Sequence, residues 1–156
     1  MNDLPPRLDD VDRAILARLR MDGRISNSAL AQAVGVAEST CIRRVRALRE
    51  SGVISGIHAE VDFERAGRPI QAVIHVRLRT NNQRHVRSFR AHIAELPGLL
   101  AAFYVAGADD YLLHTAVANP AALRELVAEH VASHPAVSHT ETQLVFEVIR
   151  GRAASL

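Results

Sequence analysis

The first third of the chain has the hydrophobic spacing of short helices. Through residue 51, apolar residues recur three and four positions apart, which places them on one side of an α-helix. The pattern predicts three helices, over residues 9–22, 27–34 and 38–51, and each precedes a glycine where a helix can end. On the third helix the apolar stripe is formed by Cys41, Ile42, Val45 and Leu48. Two helices joined by a short glycine turn are typical of a helix-turn-helix.

The rest of the chain alternates between strand and helix patterns. Residues 57–62 alternate strictly between apolar and polar, which predicts a half-buried strand. After Gly67 and Pro69 the predicted elements are a strand at 70–78, a helix at 82–96, strands at 99–106 and 111–117, a helix at 120–130 and a strand at 137–149. This order is that of the ferredoxin-like βαββαβ fold, with an antiparallel sheet and both helices on one face. A second copy of the sheet is the simplest cover for the other face.

The predicted fold class is therefore α+β, with two domains. A winged helix-turn-helix with a linker strand takes residues 1–62, a hinge takes residues 63–69, and a ferredoxin-like domain takes residues 70–156. No apolar run approaches the roughly 18 residues of a membrane span, and no signal peptide begins the chain. A soluble cytoplasmic protein without a membrane partner is expected. The single cysteine, Cys41, excludes an intrachain disulfide, and its place on the apolar stripe predicts a buried thiol.

Positive charge is concentrated on the third predicted helix, although the formal net charge is only +2. Arginine can contact guanine with two hydrogen bonds or pair with phosphate, so this face predicts binding to double-stranded DNA. Residues near the start of such a helix usually meet bases, and later ones meet phosphate or only solvent. The start of the preceding helix can bind phosphate or merely cap its own helix. The candidate DNA-binding residues are Asn27, Ser28, Ser39, Thr40, Arg43, Arg44 and Arg46. A solvated charged face is the alternative interpretation.

Metal and catalytic chemistry have little support in the sequence. His130 and His134 have the spacing of zinc ligands on a helix, but no nearby acid or histidine completes a recognisable site. The nucleophile elbow, the phosphate-binding loop, the dinucleotide glycine motif and the helical zinc-protease motif are all missing from the sequence. We therefore expect no metal, no cofactor and no enzyme activity. A small ferredoxin-like enzyme remains a remote alternative.

Seven short stretches, in order, resemble the Lrp/AsnC (feast/famine) family of transcriptional regulators. They are residues 8–12, 22–27, 44–48, 52–56, 105–107, 110–113 and 140–142. The resemblance runs from Leu8 to about Arg150. It implies a winged helix-turn-helix followed by a ligand-sensing domain of ferredoxin-like shape (the RAM domain). It also implies dimers that assemble further, to tetramers or octamers, and a small effector, mostly an amino acid, held between dimers.

The resemblance also indicates where the effector would bind. The family's effector turn corresponds to residues 105–110, and a facing segment of the last strand corresponds to residues 140–145. The implied effector-binding residues are Tyr104, Gly107, Asp109, Asp110, Thr140 and Gln143. Gly107 can equally serve only the hairpin, and Asp110 can simply cap the turn.

Three sites depart from the family pattern. After the turn glycine, Ala108-Asp109 stands where the leucine-responsive protein has Asp-Phe. Ala37 stands where many relatives have a serine that caps the recognition helix, so capping passes to Ser39 or is lost. Gln143 stands where the leucine-responsive protein has an aromatic residue, which favours a polar effector. The predicted function is a sequence-specific DNA-binding regulator that responds to a small effector. The alternative is a ligand-sensing oligomer whose helix-turn-helix makes protein contacts.

Overall fold

The computed structural model describes residues 7–79 and 83–149, which form two compact units. Residues 7–60, together with Ile149, belong to the first unit and residues 61–148 to the second. The first unit contains helices α1 (Asp10–Met21), α2 (Asn27–Val34) and α3 (Glu38–Glu50). No helix among the described residues is long and apolar enough to cross a membrane.

Side-chain caps explain where α1 and α2 begin. The carboxylate of Asp9 accepts the backbone N–H of Asp12 at 2.8 Å, and the carboxylate of Asp12 accepts the N–H of Asp9 at 3.3 Å. This reciprocal pair is a capping box, which satisfies two otherwise unpaired donors. On α2, Ser26 Oγ accepts the N–H of Ala29 at 3.2 Å, and Gly35 ends the helix in the left-handed conformation with φ 72°. The predicted bounds of α2 are confirmed.

The core of the first unit joins all three helices, but one predicted member is wrong. Its buried residues are Ile15, Leu16, Leu30, Ala31, Cys41, Val45 and Leu48. Ile42, predicted on the same stripe, keeps 44% of its surface accessible. Successive residues are about 100° apart around a helix, so Ile42 lies beside the stripe that Cys41, Val45 and Leu48 define.

The predicted linker strand over residues 57–62 is also wrong. None of these residues lies in a strand and all of them are exposed. Alternation makes a segment suitable for a strand, but a strand also needs a neighbour that accepts and donates its backbone hydrogen bonds. Within residues 7–79 and 83–149, no strand pairs with this segment.

The second unit has the predicted ferredoxin-like topology. Its elements are β1 (Ile70–Leu78), α4 (Gln83–Ala94), β2 (Leu99–Tyr104), β3 (Tyr111–Val117), α5 (Pro120–Glu125), a π-helix (Leu126–Ala132) and β4 (Val137–Val145). The strands form one antiparallel sheet in the order β2-β3-β1-β4. Residue 82, the predicted start of α4, lies outside the described residues. The last strand ends at Val145, four residues before the predicted end.

One face of the sheet carries the core. Alternate residues of β1, from Ala72 to Leu78, are buried against α4 and the helical segment after β3, together with Phe89, Ile93, Leu126 and Val131. Both helical segments therefore lie on one face, as predicted. On the opposite face, Val73 and Leu112 are half-buried and Phe103 keeps 55% of its surface accessible. Neither helical segment of this unit packs on that face, so it retains exposed apolar surface.

The second helical segment differs in type from the prediction. A single helix over residues 120–130 is expected from the sequence, but α-helical turns give way to π-helical turns at Leu126. A π-helix hydrogen-bonds five residues apart, and a three-to-four-residue periodicity does not distinguish it. After this segment, His134 Nδ1 accepts the N–H of Ala136 at 3.2 Å. Burial lowers the pKa of His134, and nearby His92 lowers it further, so the ring is kept neutral and able to accept.

Candidate DNA interface and effector turn

The solvent-facing side of α3 carries most of the predicted DNA-binding residues. Ser39, Arg43 and Arg46 are exposed and Thr40 is half-buried, while the buried stripe holds the opposite side to the core. α3 follows α2 after the turn at Gly35, so the pair is a helix-turn-helix with its second helix available to a partner.

The start of α3 lacks a side-chain cap. Ala37 occupies the N-cap position and makes no side-chain hydrogen bond to the helix, and Ser39 does not replace it. Of the two alternatives considered from the sequence, the structure shows loss of the cap, whose usual cost is about 0.5–2 kcal/mol. The first-turn N–H groups of α3 therefore have no side-chain acceptor from the cap residue, and such groups favour an anion.

The three candidate arginines of α3 have different environments. Arg46 Nε donates to Glu50 Oε1 at 2.7 Å, and both side chains are largely exposed. Arg44 Nη1 donates to Asp9 Oδ2 at 2.7 Å and to Asp12 Oδ1 at 2.9 Å, with 29% of its side chain accessible. No carboxylate among the described residues pairs with Arg43. Position along the helix separates Arg46 from the other two in the sequence, whereas the carboxylate partners of Arg44 separate it from Arg43 only in the structure.

The pKa shifts of Asp9 and Arg44 are consistent with an ion pair between them. The N–H of Asp12 and then the Arg44 guanidinium hold the pKa of Asp9 below its usual value. The same two carboxylates raise the pKa of Arg44, Asp9 more than Asp12. Asp9 and Arg44 are therefore both charged near neutral pH, which keeps the ion pair between them intact. Cys41 is fully buried as predicted, and burial raises the pKa of its thiol.

The first turn of α2 leaves its predicted residues available. Asn27 and Ser28 are exposed, and Ser26 is the residue that caps the helix. The cap uses the N–H of Ala29, and no described hydrogen bond is donated by the N–H groups of Asn27 and Ser28. These groups can therefore donate to an anion at the helix start.

In the second unit, Asp110 holds the predicted effector turn against the sheet. Its N–H donates to the carbonyl of Val76 at 2.9 Å, and its Oδ2 accepts the N–H of Leu78 at 2.7 Å. Its own carbonyl accepts the N–H of Val105 at 2.9 Å, which closes the hairpin. Gly107 is exposed at the tip with φ 154°. The side chain of Asp110 therefore has a structural role, but it bonds β1 and, among the described residues, does not cap an N–H group of the turn as considered from the sequence.

Asp109 contacts two side chains of β1, His75 and Arg77. Its Oδ2 lies 2.8 Å from His75 Nδ1, and its Oδ1 lies 3.7 Å from Arg77 Nη2. Arg77 Nε also donates to the carbonyl of Ala108 at 2.8 Å. The backbone N–H groups of residues 106–109 donate none of the hydrogen bonds described within the chain, so the turn presents donors at its tip.

Tyr104 lines a cavity that sequence reasoning did not anticipate. It pairs with Tyr111 across β2 and β3, and the two rings are 5.0 Å apart. Together with Arg90 and apolar residues of α4 they line a cavity of about 530 Å³. Burial raises the pKa of Tyr111, which keeps its hydroxyl protonated. The predicted hairpin already places Tyr104 opposite Tyr111, so the two tyrosines of this cavity could have been predicted from the sequence. The position of Arg90 could not, because it depends on how α4 packs against the sheet.

The two predicted residues of β4 are not brought together. Thr140 lies opposite Val76, on the helix side of the sheet, whereas Gln143 lies opposite Val73, on the other side. Gln143 Nε2 donates to Glu141 at 3.1 Å. Within one chain, therefore, Tyr104 and Thr140 share a face that Gln143 does not.

Comparisons with known proteins cover both units. The AsnC-type helix-turn-helix domain matches residues 8–49, and the Lrp/AsnC ligand binding domain matches residues 71–154. The HTH-type transcriptional regulator AldR of Mycolicibacterium smegmatis is 45% identical over 144 residues, which are 92% of this chain and 84% of that protein. The chain belongs to the Lrp/AsnC family.

Two further members support this assignment. The leucine-responsive regulatory protein of Rhizobium meliloti is 34% identical over 92% of each chain. The crystal structure of the transcriptional regulator NMB0573 of Neisseria meningitidis, solved as a complex with L-Met, matches with a TM-score of 0.86 and 29% identity over 96% of each chain. As an Lrp/AsnC-family protein, the chain is a transcriptional regulator with a DNA-binding helix-turn-helix and a ligand-binding domain, and it is not an enzyme.

Proposed function

We propose that this regulator reads specific DNA sequences by inserting α3 into the major groove. The observation that carries the proposal is the division of α3 into two sides. Cys41, Val45 and Leu48 anchor one side in the core, while the other presents Arg43, which has no carboxylate partner among the described residues. A helix held in this way can meet base edges without losing its packing.

The contacts are assigned by position along the two helices. Ser39, Thr40 and Arg43, in the first half of α3, face the bases, and Arg43 can reach guanine with two hydrogen bonds. The exposed side chain of Ile42 suits a thymine methyl group. Arg46 pairs with phosphate in competition with Glu50. The open N–H groups of Asn27 and Ser28 bind a phosphate at the start of α2.

A homodimer would present two such helices to the DNA. The exposed apolar side of the sheet, around Val73, Phe103 and Leu112, is the surface proposed to cover its counterpart in a second copy. Two copies of α3 would then enter major grooves about 34 Å apart, or a multiple of that distance. Dimers would assemble further into tetramers or octamers.

Selection of duplexes from a random-sequence pool by the full-length protein tests DNA recognition. The selected duplex should bind more tightly than a scrambled duplex of equal length and composition. The logarithm of its binding constant should fall linearly with the logarithm of salt concentration, by about 0.9 for each phosphate contact, because binding releases counterions. Oligomers that show no preference between the duplexes would instead favour a helix-turn-helix that makes protein contacts.

The second half of the proposal is that a small amino acid binds near the effector turn. The open N–H groups of residues 106–109 suit a carboxylate, and the carboxylates of Asp109 and Asp110 suit an ammonium group. Tyr104 and the cavity it shares with Tyr111 can take a side chain. Thr140 and Gln143 would contribute where a neighbouring copy meets the turn. The L-Met complex of the meningococcal relative supports an amino acid as the class of effector.

A thermal-shift screen of the twenty amino acids against the full chain tests this binding. At one hundred times its dissociation constant, an effector should stabilise the protein by about 2.7 kcal/mol. Gly107→Ala should reduce the shift, because a side chain is strained at φ 154° and alters the turn. Gly67→Ala is the matched control, since Gly67 also has a positive φ and open space but lies outside the turn. A screen without any shift would refute an amino-acid effector.

A further inference from the structure

Arg44 joins α3 to the capped start of α1. Its Nη1 donates to one oxygen of each capping carboxylate, 2.7 Å from Asp9 and 2.9 Å from Asp12. The other oxygen of each carboxylate accepts a backbone N–H of the capping box. Both carboxylates are thus held in place by α1 itself, and a side chain from 32 and 35 residues further along is fixed to them.

This arrangement leaves Arg44 unsuited to reading a base. Two hydrogen bonds to guanine need two N–H groups of the guanidinium directed at the same base edge. Both hydrogens of Nη1 are used by the carboxylates, and Nε is buried without a described acceptor. Of the two nitrogens without a described acceptor, Nε is buried and only Nη2 is left for DNA, so the paired geometry is not available without breaking the contact with α1.

α3 has few other polar contacts that fix its direction. Its start has no side-chain cap, and its buried stripe is formed by Cys41, Val45 and Leu48. Apolar packing is non-directional and tolerates small rotations and shifts along the helix axis. Charge-assisted hydrogen bonds have a preferred geometry. The contact of Arg44 with Asp9 and Asp12 therefore restricts the rotation of α3 about its own axis, which apolar packing alone does not restrict.

In place of the predicted base contact, we propose that Arg44 is a positioning residue. It fixes the orientation of α3 against the capping box of α1, so that Ser39, Thr40 and Arg43 meet the correct base pairs. The inference rests on the proposed function, because it assumes that α3 reads DNA. Asp9 and Asp12 take part in the same positioning contact from the start of α1.

Two single variants of opposite charge test the inference. Arg44→Gln removes a positive charge and the guanidinium that contacts both carboxylates, and Asp12→Asn removes the negative charge of one of those two carboxylates. Positioning requires that each variant lower the ratio of affinities for the selected and scrambled duplexes by about ten-fold. A direct DNA contact by Arg44 predicts the loss for Arg44→Gln only. It predicts unchanged or tighter binding for Asp12→Asn, which reduces repulsion of phosphate.

Asp9→Ser provides a second test if a variant folds poorly. Serine is a good N-cap, so it keeps the cap of α1 while removing one of the two carboxylates that Arg44 contacts. It should also lower the affinity ratio, with the melting temperature near that of the wild type. The salt slope of all three variants should stay within about half a unit of the wild-type slope, because no phosphate contact is lost.

The possible results distinguish failure of the positioning role of Arg44 from failure of the proposed DNA recognition. Wild-type discrimination by Asp12→Asn and Asp9→Ser would overturn the positioning role and leave DNA recognition standing. A drop of about one unit in the salt slope of Arg44→Gln would place Arg44 on a phosphate and would also overturn it. Failure of the wild type to prefer the selected duplex would refute the proposed function and the inference together.

Discussion

Arg43→Glu should weaken binding to the selected duplex by about a hundredfold or more while the protein keeps its fold. Arg43 is exposed on α3, and no described carboxylate neutralises it. A good arginine contact to a base is worth about 1–3 kcal/mol, and a dimer loses it twice. Glutamate adds repulsion from phosphate to that loss. Fluorescence anisotropy with the labelled duplex measures the change.

Arg124→Glu is the matched control for net charge. Arg124 is exposed on α5, in the second unit, so the same charge reversal occurs outside the helix-turn-helix. It should change duplex affinity by only a few-fold through the weaker long-range field. Equal losses for the two variants would mean that total charge, and not a contact by Arg43, governs binding.

Phe89→Ala should destabilise the second unit by about 3–5 kcal/mol, the usual cost of removing a buried aromatic side chain. Phe89 is fully buried on α4, and its ring lies 5.2 Å from the rings of both Tyr111 and His134. Truncation leaves a cavity where α4 meets the sheet. The protein has two tyrosines and no tryptophan, and both tyrosines lie in this unit. Tyrosine fluorescence during urea unfolding therefore reports on the affected unit.

Phe103→Ala removes the same side chain from the exposed face of the sheet. Because 55% of its surface is accessible, it should cost under about 1 kcal/mol in the isolated chain. In the proposed dimer the loss of stability caused by Phe103→Ala should grow with protein concentration, because the substitution weakens association of the two copies. A loss as large as that of Phe89→Ala in dilute protein would show that the core is assigned to the wrong face.

Elements with local signals at both ends could be predicted closely from the sequence. α2 has a capping serine at its start and a glycine at its end, and its observed bounds match the predicted ones. β3 begins after the turn, and its observed bounds, Tyr111–Val117, are also the predicted ones. The alternation on β1 identifies its buried face correctly, because successive strand residues point to opposite sides.

The errors arise where a distant partner decides the outcome. Residues 57–62 have the alternation of a strand, yet pairing requires a second strand that the pattern does not specify. Arg44 looks equivalent to Arg43 in sequence, and only the packing of α1 against α3 brings two carboxylates to it. The hydrogen bond between Asp109 and His75 likewise joins residues that are 34 positions apart in the sequence.

The thiol of Cys41, the single cysteine of the chain, can be used to follow the opening of the N-terminal helices. It is fully enclosed among the three N-terminal helices, and burial disfavours its reactive thiolate form. A thiol-specific dye therefore reacts only when those helices separate, and its labelling rate measures that opening alone. Since the tyrosines report on the other unit, the two halves can be followed independently in a single untagged sample, without introducing a probe.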